Sequence, residues 1–197
     1  MSRFELLDHM VEDGNGYLCT SDVVGAGISK PTLAEYVKDR GMERIERGVY
    51  LSRDAWPDSL YQLSLVNRRI VFSHETALML HGLMEREPNA IDVTVPVGYN
   101  ASHLRKRGVH VHQVKSEITE LGKVTVETGF GNKVVAYDRE RTICDILKIK
   151  DEMDVQIFRY AMREYMLGND KNLARLMSYA EQFRVIELVR MYTEVLL

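Results

Sequence analysis

Apolar and polar positions recur along this chain with two periods, one helical and one of two residues, and each implies a different element. Residues 2–13 place Phe4, Leu7 and Val11 on one helical stripe, with Leu6 and Met10 beside it, and Gly14-Asn15-Gly16 ends the run. Residues 17–51 read as a short helix, a tight turn, a second helix and a hairpin. Thr20 stands as N-cap of the short helix, and Val23 and Val24 form its apolar side. Gly25-Ala26-Gly27 stops it, and Ile28 is the apolar residue that pins the turn. The second helix opens at Ser29-Lys30-Pro31-Thr32, where a proline is tolerated in the first turn, and buries Leu33, Tyr36 and Val37 before Gly41. Strands at 42–45 and 49–51 flank the polar tip Glu46-Arg47-Gly48.

Beyond the hairpin, Pro57 and its polar flanks mark 54–58 as a linker, with Trp56 expected to pack between domains. A helix is expected over 59–69, and a second begins at Ser73-His74-Glu75-Thr76, an imperfect capping box. Period-two alternation gives strands at 91–95, 109–114, 124–128 and 133–137. A helix at 139–150 turns Ile143, Ile146 and Leu147 inward. The last third is helical, with stripes of Val155, Phe158, Met162, Tyr165 and of Leu173, Leu176, Met177, Ala180. The expected fold class is α+β: an N-terminal winged helix-turn-helix over 1–53, then an α+β domain over 59–197 with a small sheet and C-terminal helices.

Charge changes this picture little. Residues 1–56 hold seven Lys/Arg against ten Asp/Glu, so no general basic footprint marks the first domain, and a protein-docking role stays open beside DNA binding. The cations are placed locally instead. Thr20, Ser29, Lys30, Thr32, Tyr36, Lys38, Arg40, Arg44 and Arg47 are the expected DNA-binding set. Lys30, Thr32 and Tyr36 would reach base edges, while Lys38, Arg44 and Arg47 would meet phosphates. A second basic stretch, 98–116, carries His103, Arg105, Lys106, Arg107, His110, His112 and Lys115 with no acid. It fits a toxin or nucleic-acid backbone, or equally a solvated edge guarded against aggregation.

The chain resembles the AbiEi family, the antitoxins of type IV abortive-infection toxin–antitoxin systems. The residues that carry the resemblance are Arg-Gly-Val-Tyr-Leu at 47–51, Phe-Ser-His-Glu-Thr-Ala-Leu-Met-Leu-His-Gly-Leu at 72–83 and Asp-Arg-Glu-Arg-Thr-Ile-Cys-Asp-Ile at 138–146. The order of these motifs spans nearly the whole chain. The resemblance implies a repressor that binds inverted repeats in its own promoter and neutralises a nucleotidyltransferase-like toxin, with or without a stable complex. The rival is a ligand-sensing transcriptional regulator without antitoxin activity.

Catalysis is not expected. No Glu-x-Lys nuclease pair, phosphate loop or nucleophile elbow occurs. His110 and His112 share a strand face, but no Cys or carboxylate lies within 98–116 to complete a metal site. His74 and His81, seven positions apart, read as structural histidines, so neither metal nor cofactor is expected. Cys19 and Cys144 form no CxxC, no apolar run spans a bilayer and the start is no signal peptide; a cytoplasmic protein with no membrane partner follows.

Overall fold

The computed structural model describes residues 2–196. Its chain divides into two units, one of residues 1–68 with 128–132, the other of 69–127 with 133–197. The class is α+β throughout.

The first unit begins with α1 (Arg3–Asp13), closed by a reciprocal cap: Ser2 Oγ accepts from the Glu5 amide at 3.1 Å, and Glu5 accepts from the Ser2 amide at 2.7 Å. Next come β1 (Tyr17–Cys19), α2 (Thr20–Gly25), α3 (Lys30–Asp39), β2 (Glu43–Glu46) and β3 (Val49–Leu51). β3 is the middle strand and pairs antiparallel with both β1 and β2. β1 has no counterpart in the sequence reading, because three consecutive buried residues show no alternation to detect. Its presence also moves the helix start. Cys19 is the extended cap residue, Thr20 is already helical, and no side-chain cap bond forms. Of the two valines in α2, Val23 is buried and Val24 is exposed. Leu7, Leu18, Val23, Ile28, Leu33, Tyr36 and Met42 make the core between the helices and the sheet.

This unit continues past the expected linker. Asp58 is buried, caps α4 (Ser59–Val66) by accepting from the amides of Leu60 and Tyr61, and receives Thr128 Oγ1 at 2.6 Å and Asn132 Nδ2 at 2.9 Å. Tyr61 and Leu65 of α4 then pack on Tyr17, Cys19, Val49 and Leu51, the other face of the small sheet. A polar stretch ending in an aspartate therefore serves as a helix cap, and the unit closes at residue 68 rather than at 53. Trp56 is not packed in; its side chain is 78% exposed.

The second unit contains β4 (Val71–Phe72), α5 (His74–Leu80), β5 (Asp92–Pro96), α6 (Ser102–Lys106), β6 (His110–Val114), α7 (Ser116–Thr119), β7 (Lys123–Glu127) and β8 (Lys133–Tyr137). Four helices follow: α8 (Arg139–Lys148), α9 (Val155–Leu167), α10 (Leu173–Phe183) and α11 (Ile186–Leu196). The sheet runs β6-β5-β4-β8-β7. β5–β6 and β4–β8 are parallel, while β4–β5 and β7–β8 are antiparallel. The core joins α5 and α8 to α9 and α10 through Leu78, Ile143, Ile146, Leu147, Phe158, Met162, Tyr165, Leu176 and Ala180. Val155, expected inward, is exposed at the first position of α9.

α8 is buried along nearly its whole length, charges included. Arg141 donates through Nε to Asp145 at 3.0 Å and through Nη1 to the carbonyls of Ile118 (2.9 Å) and Leu121 (3.1 Å). Its guanidinium lies 4.2 Å from the Tyr137 ring centre and 4.1 Å from that of Phe183. Gly122 leaves room for this side chain: a β-carbon there would stand 2.8 Å from Arg141 Cβ. Among the described residues, no helix is long and apolar enough to cross a membrane.

Candidate functional site

The surface of α3 and the β2–β3 hairpin is set by local chemistry. Ser29 caps α3, accepting from the Thr32 amide at 3.3 Å, and the two hydroxyls lie 2.9 Å apart. Leu33 and Tyr36 face inward, which leaves Lys30, Ala34 and Lys38 to follow one another outward at i, i+4 spacing, with Pro31 and Glu35 alongside. In the hairpin, Arg47 stands exposed at the tip before Gly48, whose φ of +78° makes the turn. Arg44 is exposed on β2, where the register slips between Arg44 and Glu46, and its Nε donates to the Glu46 carbonyl at 3.4 Å. Lys30, Lys38 and Arg47 enter no ion pair among the described residues.

Three residues of the expected set are used otherwise. Tyr36 is buried, and its hydroxyl donates to Asp8 Oδ1 at 2.7 Å. Burial first, and the bond to Asp8 next, push its phenol up to about 12. Arg40 grips the same carboxylate with two bonds, Nε to Oδ1 at 3.0 Å and Nη2 to Oδ2 at 2.8 Å, with its guanidinium over the Tyr36 ring. Tyr36 and Arg40 thus fasten α3 to α1, and Asp8 is the residue that sequence reading missed. Thr20 lies under the hairpin turn, its amide donating to the Gly48 carbonyl at 2.8 Å.

The basic stretch in the second unit splits in two. His103, Arg105, Lys106 and Arg107 are exposed around α6, whose Leu104 is buried, and Lys115 is exposed after β6. His110 and His112 instead face a carboxylate from the neighbouring strand. The parallel register sets Asp92 against His110 and Thr94 against His112. Asp92 Oδ1 then lies 2.8 Å from His112 Nε2 and 3.7 Å from His110 Nδ1.

His74 completes this group. It is buried, and its ring stacks on that of His112 with centres 3.6 Å apart and planes at 18°. His74 Nδ1 lies 3.0 Å from Ser73 Oγ, which in turn accepts from Thr94 Oγ1 at 2.9 Å. The Ser73 hydroxyl is therefore directed at this network and makes no helix cap. Burial, then the adjacent His112, hold the His74 imidazole well below its ordinary pKa, in the neutral form. Its backbone is left-handed, φ +49°, a conformation that an L side chain adopts at a cost. His81, by contrast, is bonded through Nε2 to the Tyr137 carbonyl at 2.7 Å, a structural role as expected. The grouping of His74, Asp92 and His112 escaped the sequence because the carboxylate lies outside 98–116, on a strand that pairs in parallel across a crossover.

No protein-family model matches the chain, and no curated protein matches it. Among solved structures, the crystal structure of the RV2827C protein from Mycobacterium tuberculosis is similar, with a TM-score of 0.57 over 89% of this chain and 70% of that chain. The two sequences are 11% identical, so the likeness is one of fold.

Proposed function

We propose that the first unit is a winged helix-turn-helix that binds double-stranded operator DNA, and that the chain is an antitoxin of the AbiEi type. In this reading α3 enters the major groove, with Lys30 at its N-terminal end and Lys38 toward the flanking phosphates. The β2–β3 hairpin is the wing, and Arg47 at its tip meets the neighbouring backbone. The observation that carries the reading is the pairing of an outward α3 face and hairpin tip, bearing Lys30, Lys38 and Arg47, none of them ion-paired among the described residues, with an inward face fixed by Leu33, Tyr36 and the Asp8–Arg40 pair. Glu35 on the same outward face limits the choice of sequence, since a carboxylate accepts from a cytosine amino group and repels the backbone elsewhere.

The antitoxin part rests on the resemblance. Two of its motifs build the heart of the second unit: 72–83 forms β4 and α5 with His74, and 138–146 forms most of α8 with the buried Arg141–Asp145 pair. The functional partner is a nucleotidyltransferase-like toxin, and the basic residues of α6 are the surface offered to it or to its nucleic-acid substrate.

The test uses the full chain. Fluorescence anisotropy with a duplex from upstream of its own gene should show binding that weakens steeply with salt, and a scrambled duplex should bind less tightly. Co-expression with a nucleotidyltransferase encoded beside the gene should restore growth. DNA binding without rescue reduces the protein to a transcriptional regulator, the ligand-sensing alternative; rescue without DNA binding removes the operator assignment.

A further inference from the structure

The geometry of the second unit points to a cation site that goes beyond the reading above and does not depend on it. We propose that His74, Asp92 and His112 together bind one divalent transition-metal ion of the Zn²⁺ class.

The donor set comes first. Two imidazoles and one carboxylate suit a borderline-soft ion, whereas Mg²⁺ and Ca²⁺ take all-oxygen sites. One donor atom from each residue lies within 4.8 Å of the other two. Donors bound to Zn²⁺ at about 2.0–2.2 Å stand roughly 3.3 Å apart, so side-chain rotation suffices to close the site. The two rings must splay from their 18° stack, so that both nitrogen lone pairs point at the ion.

One ligand is backed by a second group, as metal ligands commonly are, and another is tied down through its backbone. Ser73 Oγ, held by Thr94, fixes the His74 ring through Nδ1. The Asp92 amide donates to Thr76 Oγ1 at 2.8 Å, which ties the carboxylate-bearing strand to α5. The hydrogen bond between Asp92 and His112 explains two of the three residues by itself. It does not explain a third residue, the His74 imidazole, brought against them by a left-handed backbone between β4 and the rest of α5. Local charge permits the ion as well. The Arg141 cation is matched by Asp145 at 3.0 Å, Lys148 adds a positive charge that acts on His74, and Asp92 has the Glu75 carboxylate near it as well as the His110 and His112 imidazoles. Three protein ligands leave a coordination position, and the His112 side chain, 29% exposed, puts solvent within reach of it.

The test is a titration of the full-length, chelator-treated and dialysed chain with Zn²⁺ by calorimetry and with Co²⁺ by visible absorption, Mg²⁺ serving as control. One equivalent of Zn²⁺ per chain is expected, with ligand-field bands for Co²⁺ and no binding of Mg²⁺ in the same range. His112→Ala and Asp92→Asn should each weaken Zn²⁺ binding at least about tenfold, and His110→Ala should leave it within about twofold. Zn²⁺ should raise the melting temperature of the wild type and not that of either site variant, circular dichroism having shown which variants are folded. Absence of stoichiometric Zn²⁺ binding by the wild type overturns the site, whatever the variants do. Undiminished binding in a folded His112→Ala or Asp92→Asn chain overturns it equally.

Discussion

The α3–hairpin surface and the His74–Asp92–His112 group are built on opposite plans. Every element of the first comes from one run of about 35 residues, where capping, turn glycines and a helical stripe decide the geometry in sequence. The second draws single residues from a helix start and two parallel-paired strands at positions 74, 92 and 112, and only sheet pairing brings them together. The contrast teaches that a local motif displays its surface in the sequence, whereas a site made by strand pairing hides its membership until the strand order is known. The buried networks follow the same division. Asp8, Tyr36 and Arg40 form a partly exposed clasp in the first unit, while Arg141 and Asp145 are sunk in the second.

The largest expected difference lies in these networks. Asp145→Ala leaves the fully buried Arg141 without its counter-charge and should destabilise the second unit by about 3–5 kcal/mol in urea denaturation. A loss below about 1 kcal/mol would mean that the two carbonyls and two rings around Arg141 hold it unaided.

Leu33→Ala comes next. Leu33 is 2% exposed in the small core beneath α3, and its truncation should cost about 2–5 kcal/mol and loosen the helix that presents Lys30 and Lys38. DNA affinity should fall in the same variant, although the outward face is untouched. Intact affinity at reduced stability would separate the α3 surface from its support.

A smaller effect separates two arginines that sequence reading placed in one group. Arg47→Ala should weaken binding to all duplexes alike, reduce the salt slope by about one unit and leave stability within about 0.5 kcal/mol. Arg40→Ala should leave the salt slope unchanged and lower stability, since its charge is already met by Asp8 at 2.8 Å. Identical salt slopes in wild type and Arg47→Ala would remove the hairpin from the interface.

The smallest effect is in acid. The Tyr36 hydroxyl, and then Arg40, hold the Asp8 carboxyl below its usual pKa of 3.8. Its folded value is below its unfolded one, so its contribution is fully present above about pH 4 and is lost as pH falls through the lowered folded value. Asp138 in the second unit has the opposite sign, because burial raises its carboxyl. Folding there is relieved of a penalty as pH drops from the raised value toward about pH 4. Stability measured against pH should therefore lose part of its acid-side slope in Asp8→Asn, with an opposite change in Asp138→Asn.

What the sequence made legible follows the same line. Ser29, Pro31, Leu33 and Gly41 were enough to place α3, because capping and periodicity act within a few residues. β1 was invisible, since three buried residues carry no period and its partner β3 lies some 30 positions on. Tyr36 and Arg40 read as DNA-binding residues because the acid that claims them is on α1, with β1 and α2 in between. In α8 the charged string Asp-Arg-Glu-Arg marked a motif, but nothing local could show that Glu140, Arg141 and Asp145 are buried. The expectation of a linker at 54–58 failed for a related reason: the acceptor that Asp58 provides is filled by Thr128 and Asn132, which lie 70 and 74 positions away.

That last bond set has a consequence for heredity. The first unit takes residues 128–132 from the turn between β7 and β8, so the chain passes between the units at 68/69, 127/128 and 132/133. Recombination that exchanges only the leading 68 residues splits Asp58 from the Thr128 and Asn132 that bond to it. Under the proposed DNA-binding reading, a new specificity is therefore reached by point changes on α3 more readily than by swapping the leading segment as a module. A viable chimera must import the short turn together with the leading segment.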